Sequence, residues 1–363
     1  MKRKRRFLSK LLIKILIILP VTVWAFSEAE KLPVRGFAIA SPAPDNFEQF
    51  IAFVNNDLSK TAVNQLFLRI NYNYQFKSHP ELAEKNALSE QQVKTIVKTA
   101  AQYNIEIIPI INMLGHQSWK KDNIHSLLRV YPEFEENAGL KVLDKDFYTR
   151  AYCPNHPDVH DVVLAVIDEL VEVFGAKGIH LGMDEVFILG EDGCERCRGQ
   201  NKAELFANEV NLFQAHLARK NIAMYIWGDR LLNGHTTGLG MWGASKNDTD
   251  SAIDLISKNV IICDWQYESA PPTPGYFAVK GLNVISASYQ VPSVAEFQVA
   301  NMIAMRASSN DTIKNRLFGV MHTYWGSFDS FYQCYQGKAC DHKERASAVK
   351  TFSIIYPKIK ANN

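Results

Sequence analysis

The sequence lacks a strong excess of charge of either sign, with 40 Lys and Arg residues against 38 Asp and Glu residues in a chain of 363. Acidic residues are also missing from residues 1–27, which hold seven of the basic ones. Subtracting those seven leaves 33 basic against 38 acidic side chains, so the rest of the chain has a net charge of −5. Binding to nucleic acid depends on clustered Lys and Arg side chains that neutralise phosphates. The charge pattern therefore argues against nucleic acid as a partner.

An apolar run long enough to span a bilayer is also missing, because a transmembrane helix needs about 20 such residues. The run Ile15–Phe26 is shorter than that and follows the basic segment. The small residues Ala25 and Ser27 precede Glu28 in the pattern of a signal-peptide cleavage site. We therefore expect residues 1–27 to be a signal peptide and the protein to be exported, periplasmic or secreted. An uncleaved N-terminal anchor, which would attach the chain to a membrane, is the alternative.

Cysteines are few, with six in the whole chain. Two close pairs, Cys194 with Cys197 and Cys334 with Cys340, are candidates for disulfides in an exported protein. A zinc site is the other interpretation of the Cys194-x-x-Cys197 spacing, but a four-ligand site calls for a second matching pair. The sequence has no second pair spaced to suit. Disulfides are therefore favoured, and no metal or organic cofactor is expected.

Repeats, low-complexity segments and linkers rich in proline or glycine are missing after the leader, so we expect one domain over residues 28–363. Short β-branched runs alternate with longer helical patterns along this region, as in parallel βα units. Eight strands are predicted, which matches an α/β fold of the TIM (β/α)₈ barrel type. They are Val34–Ala40, Gln65–Ile70, Ile105–Ile111, Gly178–Leu181, Ala223–Trp227, Val260–Asp264, Asn283–Ser286 and Leu317–Met321.

Helical patterns lie between these strands, and one begins at the capping box Ser89-x-x-Gln92. They cover Ser89–Gln102, Asp158–Phe174, Lys202–Arg219, Asp250–Ser257, Val294–Ala307 and His342–Tyr356. An open, doubly wound sheet is the alternative to the barrel, but it places a glycine-rich phosphate turn after the first strand. Ala40–Asp45 contains no glycine, so the barrel is favoured. In a barrel the loops after the strands share one face, which carries the active site.

Two adjacent carboxylates follow the fourth predicted strand, in His180-Leu181-Gly182-Met183-Asp184-Glu185. Neighbouring side chains on a strand point to opposite faces, so both acids can reach one pocket only if the chain turns there. Gly182 permits such a turn. Most retaining glycosidases hold two carboxyl groups ~5 Å apart, generally from different strands. Adjacent carboxylates suit a substrate-assisted reaction, in which one protonates the leaving oxygen and the other orients a nucleophile that belongs to the substrate.

The segment from His180 to Glu185 resembles the His-x-Gly-Gly-Asp-Glu motif of glycoside hydrolase family 20, the β-N-acetylhexosaminidases, with Met183 in place of the second glycine. Further segments are similar to the family in barrel order: Ile108-Pro109, Leu114-Gly115-His116, Trp227-Gly228-Asp229 and Trp325-Gly326. The resemblance extends over residues 34 to 330 or so. It implies a hydrolase with the barrel fold that acts on a carbohydrate, a glycoside of a 2-acetamido sugar.

The resemblance also implies the roles of individual residues. Glu185 would be the general acid/base, and Asp184 would orient the substrate's 2-acetamido group. The carbonyl oxygen of that group would attack the anomeric carbon, which gives an oxazolinium intermediate and retention of configuration. His116 would help to set the protonation of Glu185. The sugar would be enclosed by aromatic side chains and their polar partners, which are Trp227, Trp265, Trp325, Asp229 and Tyr267.

Several residues that bind sugar hydroxyls in the family are missing here. The arginine after the first strand has no counterpart in Ala40–Ala43, Ser327 replaces a glutamate, and Asn112 replaces an acid before Gly-His. The candidates for replacement contacts are Arg69, Asn71, Tyr74, Trp119 and Arg230. These departures keep two alternatives open: the same fold acting on a different or modified sugar, and a non-catalytic glycan-binding protein.

The leader gives the first testable prediction. When the full chain is expressed in a bacterial host with a functioning export pathway, we expect N-terminal sequencing of the mature protein to start at Glu28. Signal peptidase needs small side chains next to the cleaved bond, so an Ala25→Arg variant should keep its leader. A parent protein that retains residues 1–27 in the membrane fraction would identify an anchor instead.

Overall fold

The structure, a computed structural model, describes residues 32–120, 123–138, 150–338, 340 and 342–362. Its strands are β1 (Val34–Ala40), β2 (Gln65–Arg69), β3 (Glu106–Met113), β4 (Ser118–Lys120), β5 (Asn123–Ile124), β6 (Gly178–Gly182), β7 (Ala223–Trp227), β8 (Ile261–Trp265), β9 (Asn283–Ser288) and β10 (Leu317–Thr323). Eight of them close into a parallel barrel in the order β1, β10, β9, β8, β7, β6, β3, β2. The predicted (β/α)₈ barrel is confirmed. The additional strands β4 and β5 form an antiparallel pair in the loop after β3.

Helices surround the barrel. They are α1 (Phe47–Asn56), α2 (Glu90–Ala101), α3 (Ser126–Val130), α4 (Val159–Phe174), α5 (Lys202–Ala218), α6 (Gly234–Thr237), α7 (Gly240–Gly243), α8 (Thr273–Val279), α9 (Pro292–Ser308), α10 (Asp311–Lys314), α11 (Phe328–Tyr335) and α12 (Lys343–Asn362). The predicted capping box of α2 is present, because Ser89 Oγ accepts the Gln92 N–H and Gln92 Oε1 accepts the Ser89 N–H. Short 3₁₀ turns cover Pro44–Asn46, Leu58–Lys60, Pro80–Leu82, Pro132–Phe134, Asp229–Leu231 and Asp250–Asp254.

The helix predicted over Asp250–Ser257 is wrong, since only Asp250–Asp254 is wound, as a 3₁₀ turn. The side chain of Asn211 on α5 donates to the Leu255 carbonyl at 3.0 Å and accepts the Ser257 N–H at 2.7 Å. These two bonds satisfy backbone groups that would otherwise continue a helix.

The barrel interior is filled by side chains, so a ligand can enter only at its mouth. Along β1, Val34 and Ala38 point inward, while Phe37 packs on Phe331 of α11 and Phe352 of α12. The inward set consists of Val34, Ala38, Phe67, Ile108, Ile110, Tyr225, Trp227, Ile261, Cys263, Ile285, Ala287 and Met321, which are all buried. This alternation is the one expected of parallel strands that pack on both faces.

The cysteine predictions have mixed outcomes. Cys334 and Cys340 form the expected disulfide, with Cα atoms 5.2 Å apart. The expected Cys194–Cys197 disulfide is wrong, because both residues are buried free thiols. The fold places the thiol of Cys153 beside both of them, at sulfur separations of 3.4 and 3.5 Å.

The predicted leader, residues 1–27, and the start of the predicted domain at residue 28 lie outside the described residues. Within the described part of the chain, no helix combines the length and the apolar character that crossing a bilayer requires.

Candidate active site

A cavity of about 690 Å³ opens at the carboxyl ends of the barrel strands. Six of the site residues predicted from the sequence line it, namely His116, Asp184, Glu185, Trp265, Tyr267 and Trp325. They come from the ends of β6, β8 and β10 and from the loop after β3. The cavity therefore occupies the position at which this fold places its active sites.

The chain turns sharply where β6 ends, which brings two neighbouring acids to one side. Gly182, Met183 and Glu185 have φ values of 67°, 64° and 50°, in the left-handed region. A Cβ atom on Gly182 would lie 2.7 Å from Asn112 Oδ1, so glycine is required there by space as well as by conformation. Such conformations cost energy for Met183 and Glu185, and strain of this kind concentrates at functional sites.

His116 contacts both carboxylates at once. Its Nε2 atom lies 3.0 Å from Asp184 Oδ2 and 2.9 Å from Glu185 Oε2, and all three side chains are at least nine-tenths buried. The residue before His116 must be small, because a Cβ atom on Gly115 would lie 2.6 Å from the Asp184 carbonyl oxygen. The predicted proximity of His116 to Glu185 is thus a direct contact in the structure.

The electrostatics of this trio leave one carboxyl group easy to protonate. Burial by itself lowers the pKa of His116, but the charges and hydrogen bonds of Asp184 and Glu185 outweigh it and raise that pKa to about 10. Burial raises the pKa of Glu185 above its ordinary value, and the nearby His116 reduces that shift without cancelling it. At neutral pH the imidazole is therefore a cation, and the neighbouring Glu185 carboxyl group binds a proton more readily than an ordinary glutamate does.

Asp229 supports the trio from behind the cavity wall. Its Oδ2 atom accepts the Glu185 N–H at 2.9 Å and the Arg230 Nε–H at 2.6 Å, while its Oδ1 atom accepts the Trp265 indole N–H at 3.2 Å. Both Asp229 and Arg230 are buried, and neither lines the cavity. Arg230 also donates to the carbonyl groups of Met241, Trp242 and Ala244. The pair therefore positions the Glu185 backbone, the Trp265 ring and the loop after β7.

Aromatic rings form much of the cavity wall. Trp265 and Tyr267 lie with ring centroids 5.1 Å apart, and the Trp325 indole N–H donates to the Tyr267 hydroxyl at 2.9 Å. Trp227, predicted for the same wall, does not line the cavity. It is 1% exposed within the barrel interior, with its ring 5.7 Å from that of Trp325. Trp227 therefore supports the floor of the cavity through Trp325.

The five candidates for replacement contacts differ in whether the structure places them near the cavity. The Arg69 guanidinium lies between two rings of the cavity wall, 5.8 Å from the centroid of Trp119 and 5.2 Å from that of Trp325. Asn71 instead uses its Oδ1 atom to accept the Asn112 N–H. Tyr74 is buried in the core against Phe76. Of the five candidates, Trp119 is thus the one that lines the cavity, and Arg69 packs against two rings of its wall.

Some cavity residues were not predicted from the sequence. Trp242 and Tyr289 line it, as do His342, Lys343, Glu344 and Arg345 at the start of α12. Trp242 could have been found, because a tryptophan in a loop after a barrel strand is a candidate sugar contact. The start of α12 carries no comparable local signal, since only the closure of the barrel brings it beside the cavity.

Comparisons with known proteins show which sequences and folds this chain is similar to. The model of the catalytic domain of glycosyl hydrolase family 20 matches residues 60–339. Bovine (Bos taurus) hexosaminidase D is 24% identical over 269 residues, which are 69% of this chain and 71% of that protein. Lacto-N-biosidase of Bifidobacterium bifidum is 25% identical over 191 residues, 49% of this chain but only 16% of that much longer protein.

Solved structures show the same fold. A β-N-acetylhexosaminidase from Bacteroides fragilis superimposes with a TM-score of 0.61 at 16% identity, over 92% of this chain and 70% of that one. A chitobiase from Flavobacterium johnsoniae gives a TM-score of 0.61 at 16% identity, over 92% of this chain and 52% of the other. At these identities the likeness concerns the fold alone.

The raised pKa of His116 predicts a pH-dependent contribution to folding. An unfolded histidine titrates near pH 6.5, so the charged form of His116 stabilises the fold fully below that pH. This contribution is lost as the pH rises through the folded-state pKa of about 10. A His116→Asn variant should therefore lose most stability, relative to the parent, at about pH 7 and progressively less towards pH 10. Denaturant unfolding of both proteins across this range measures the difference.

His125→Asn provides a matched control. Burial lowers the pKa of His125 to about 3, so that side chain is neutral in both the folded and the unfolded protein above about pH 7. Its removal should cost the same at every pH tested. A cost for His116→Asn that is equally flat would show that His116 is not charged in the folded protein.

Proposed function

Because the chain belongs to glycosyl hydrolase family 20, we propose that it is a glycosidase that cleaves terminal 2-acetamido-2-deoxyhexosides with retention of configuration. The observation that carries the proposal is the double contact of His116 Nε2 with Asp184 and Glu185 in an aromatic cavity. The names of the similar proteins, hexosaminidase and β-N-acetylhexosaminidase, support this substrate class. The partner is accordingly a carbohydrate.

Glu185 is the general acid in this proposal. Burial raises the pKa of its carboxyl group, which favours the protonated form that the leaving oxygen needs. As the glycosidic bond breaks, Glu185 gives this proton to the departing alcohol. In the second half of the reaction the resulting carboxylate takes a proton from water, which then adds to the anomeric carbon. The acid is thereby restored.

Asp184 orients the nucleophile, which is the carbonyl oxygen of the substrate's own 2-acetamido group. The carboxylate accepts the amide N–H and stabilises the positive charge that develops as the oxygen bonds to the anomeric carbon. The product of this step is an oxazolinium ion, and water opens it from the face that the leaving group vacated. Two inversions at the same carbon give net retention. Because Asp184 and Glu185 share His116, their positions relative to the sugar are fixed together.

The cavity wall suits a neutral sugar ring. Trp265, Tyr267 and Trp325 offer apolar faces for the C–H groups of the ring and the acetamido methyl group. Arg69 packs against Trp119 and Trp325. It supplies a cationic donor for sugar hydroxyls in place of the arginine that is missing after the first strand. The Nη2 atom of Arg69 donates to the Gly326 carbonyl at 3.0 Å, which fixes the orientation of the guanidinium.

We also propose that the reaction takes place outside the cytoplasm. The basic and apolar pattern of residues 1–27 supports export. The Cys334–Cys340 disulfide supports an oxidising compartment, because such bonds are rare in cytosolic proteins.

Replacement of Glu185 tests the acid. A Glu185→Gln variant cannot donate the proton, so we expect kcat to fall by about 10²- to 10⁴-fold on the disaccharide N,N′-diacetylchitobiose. The fall should be smaller on the 4-nitrophenyl glycoside, because nitrophenolate leaves without protonation. Steady-state kinetics on both substrates, with N-acetylgalactosaminides and unacetylated glycosides in parallel, gives the comparison.

The matched control is Glu172→Gln, which makes the same change at an exposed position on α4 and should leave both rates unchanged. Equal losses on both substrates in Glu185→Gln would point to a role in binding rather than in protonation. If the parent protein bound these sugars without turning them over, the glycan-binding alternative would replace the proposal.

Participation of the acetamido group is tested separately with a thiazoline mimic of the oxazolinium ion. The parent protein should be inhibited competitively, because the cavity is complementary to the cyclic intermediate. Asp184→Asn should bind the mimic more weakly, since it loses the negative charge that stabilises the ring. A parent enzyme that cleaves its substrate but ignores the thiazoline would contradict the substrate-assisted mechanism while leaving Glu185 as the acid.

A further inference from the structure

A second cluster of reactive side chains lies outside the cavity. It consists of Glu136, Cys153, Cys194 and Cys197, which are all buried, with one potential ligand atom from each lying within 4.8 Å of the others. The Sγ atom of Cys153 is 3.4 Å from that of Cys194 and 3.5 Å from that of Cys197. The proposed hydrolysis uses none of these groups.

The sulfur separations fit a shared metal ion better than a disulfide. Bonded sulfur atoms are about 2.05 Å apart. Two thiolates bound to a tetrahedral zinc ion at about 2.3 Å are instead separated by about 3.8 Å, close to the distances in the cluster. Three thiols can form only one disulfide, which would leave one thiol and one carboxylate buried. A single ion would bind all four side chains at once.

Glu136 gives independent support for a cation. Its Oε1 atom accepts the Gly190 N–H at 2.7 Å, whereas its Oε2 atom is buried and, among the described residues, has the thiols of the cluster as its potential donors. The whole residue is 1% exposed. A buried carboxylate without a counter-charge is strongly destabilising. A cation bound to Oε2, in the space shared with the sulfur atoms, removes that penalty.

We propose that Glu136, Cys153, Cys194 and Cys197 bind a structural zinc ion. Zinc favours thiolate ligands in a tetrahedral arrangement, and four protein ligands leave no position open for water or substrate. The Cys194-x-x-Cys197 spacing provides half of the site. The other half comes from two positions far away in the sequence, which is why no second close pair of cysteines is needed. Each thiol loses its proton to solvent when it binds the metal.

The proposed ion connects to the His116 side of the active site through a short backbone path. Cys153 directly follows Tyr152, whose N–H donates to the Leu114 carbonyl at 3.1 Å. Leu114 is two residues before His116. The Cys153 N–H itself is held by the Phe134 carbonyl. A ligand bond at Cys153 therefore restrains the segment that carries the imidazole.

The same ion restrains the loop that carries the two carboxylates. Cys194 and Cys197 lie in the loop between β6 and α5, which also carries Asp184 and Glu185. This loop comes very close to the segment around Glu136. A Cβ atom on Gly193 would lie 2.1 Å from Asn137 Oδ1, so the two segments are in contact there. The zinc ion thus joins the loop that carries His116 to the loop that carries Asp184 and Glu185.

Metal analysis of the mature wild-type protein tests the proposal, because it depends on the ligands and not on turnover. After purification without chelators, we expect about one zinc ion per chain by plasma mass spectrometry. Cys153→Ser and Cys197→Ser should each lose that zinc. Cys263→Ser, a change at a buried cysteine of the barrel interior outside the cluster, should keep it. Zinc retained in full by both ligand variants would show an adventitious ion and overturn the proposal.

Peptide mapping without reductant shows directly whether the three cysteines are thiols or form a disulfide. A zinc site leaves all three cysteines available to an alkylating reagent once the protein is unfolded in chelator, whereas a disulfide among them would overturn the proposal. Should the serine variants fail to fold, cobalt exchanged into the wild-type protein gives another readout. Thiolate-to-cobalt charge-transfer absorption with tetrahedral d–d bands is expected, and its absence from the cobalt-treated wild-type protein also overturns the proposal.

Loss of the metal should destabilise the two loops more than it destabilises the barrel. We expect zinc removal to lower the melting temperature and to speed proteolysis within residues 184–200. These outcomes are independent of the proposed hydrolysis, so an inactive protein with one bound zinc would refute only the proposed function. An active protein without zinc would refute only the metal site.

Discussion

The contact of one imidazole with two neighbouring carboxylates is the constraint around which the mouth of the barrel is organised. Two buried carboxyl groups on consecutive residues cannot both ionise without repulsion and loss of hydration, so a cation close by stabilises whichever of them is charged. His116 provides it, with Nε2 within 3.0 Å of both acids. Regular strand geometry would send Asp184 and Glu185 to opposite sides. The left-handed conformations at Gly182, Met183 and Glu185 are what bring them together.

This arrangement stores strain, and the surrounding fold compensates for it. A left-handed conformation costs about 1–2 kcal/mol for a residue with a side chain, and Leu114 and His116 adopt it as well, with φ of 59° and 52°. The strained segments are restrained by buried groups. Asp229 holds the Glu185 N–H, and Gly115 allows the His116 loop to touch the Asp184 backbone. The packed barrel interior below them gives these contacts a rigid base.

The strands could be predicted from the sequence because each is a short β-branched run between polar segments, which is a local signal. The helices α1, α8 and α11 were not predicted, since each has ten residues or fewer and so gives only a short periodic pattern. The acids and His116 could be identified because they lie in recognisable segments. The partnership of Cys153 with Cys194 and Cys197 could not, because 41 and 44 residues separate them and only folding brings their sulfurs together. Local spacing favoured a disulfide for that reason.

The altered sugar-binding residues follow from how tightly each role is constrained. The proposed reaction centre needs one nitrogen in contact with two carboxylate oxygens, and a shift of about 1 Å in such a centre costs much of its rate. A donor to a sugar hydroxyl has more freedom, because it can approach from a neighbouring strand. Ala40 at the end of β1, next to the position that lacks the family's arginine, is the register partner of Arg69 at the end of β2. The two positions are therefore at the same height and about 4.8 Å apart, a distance that a long guanidinium side chain spans. In the proposed enzyme the cation has moved by one strand, so the hydroxyl groups that it meets, and hence the preferred sugar, can differ while the bond chemistry stays the same.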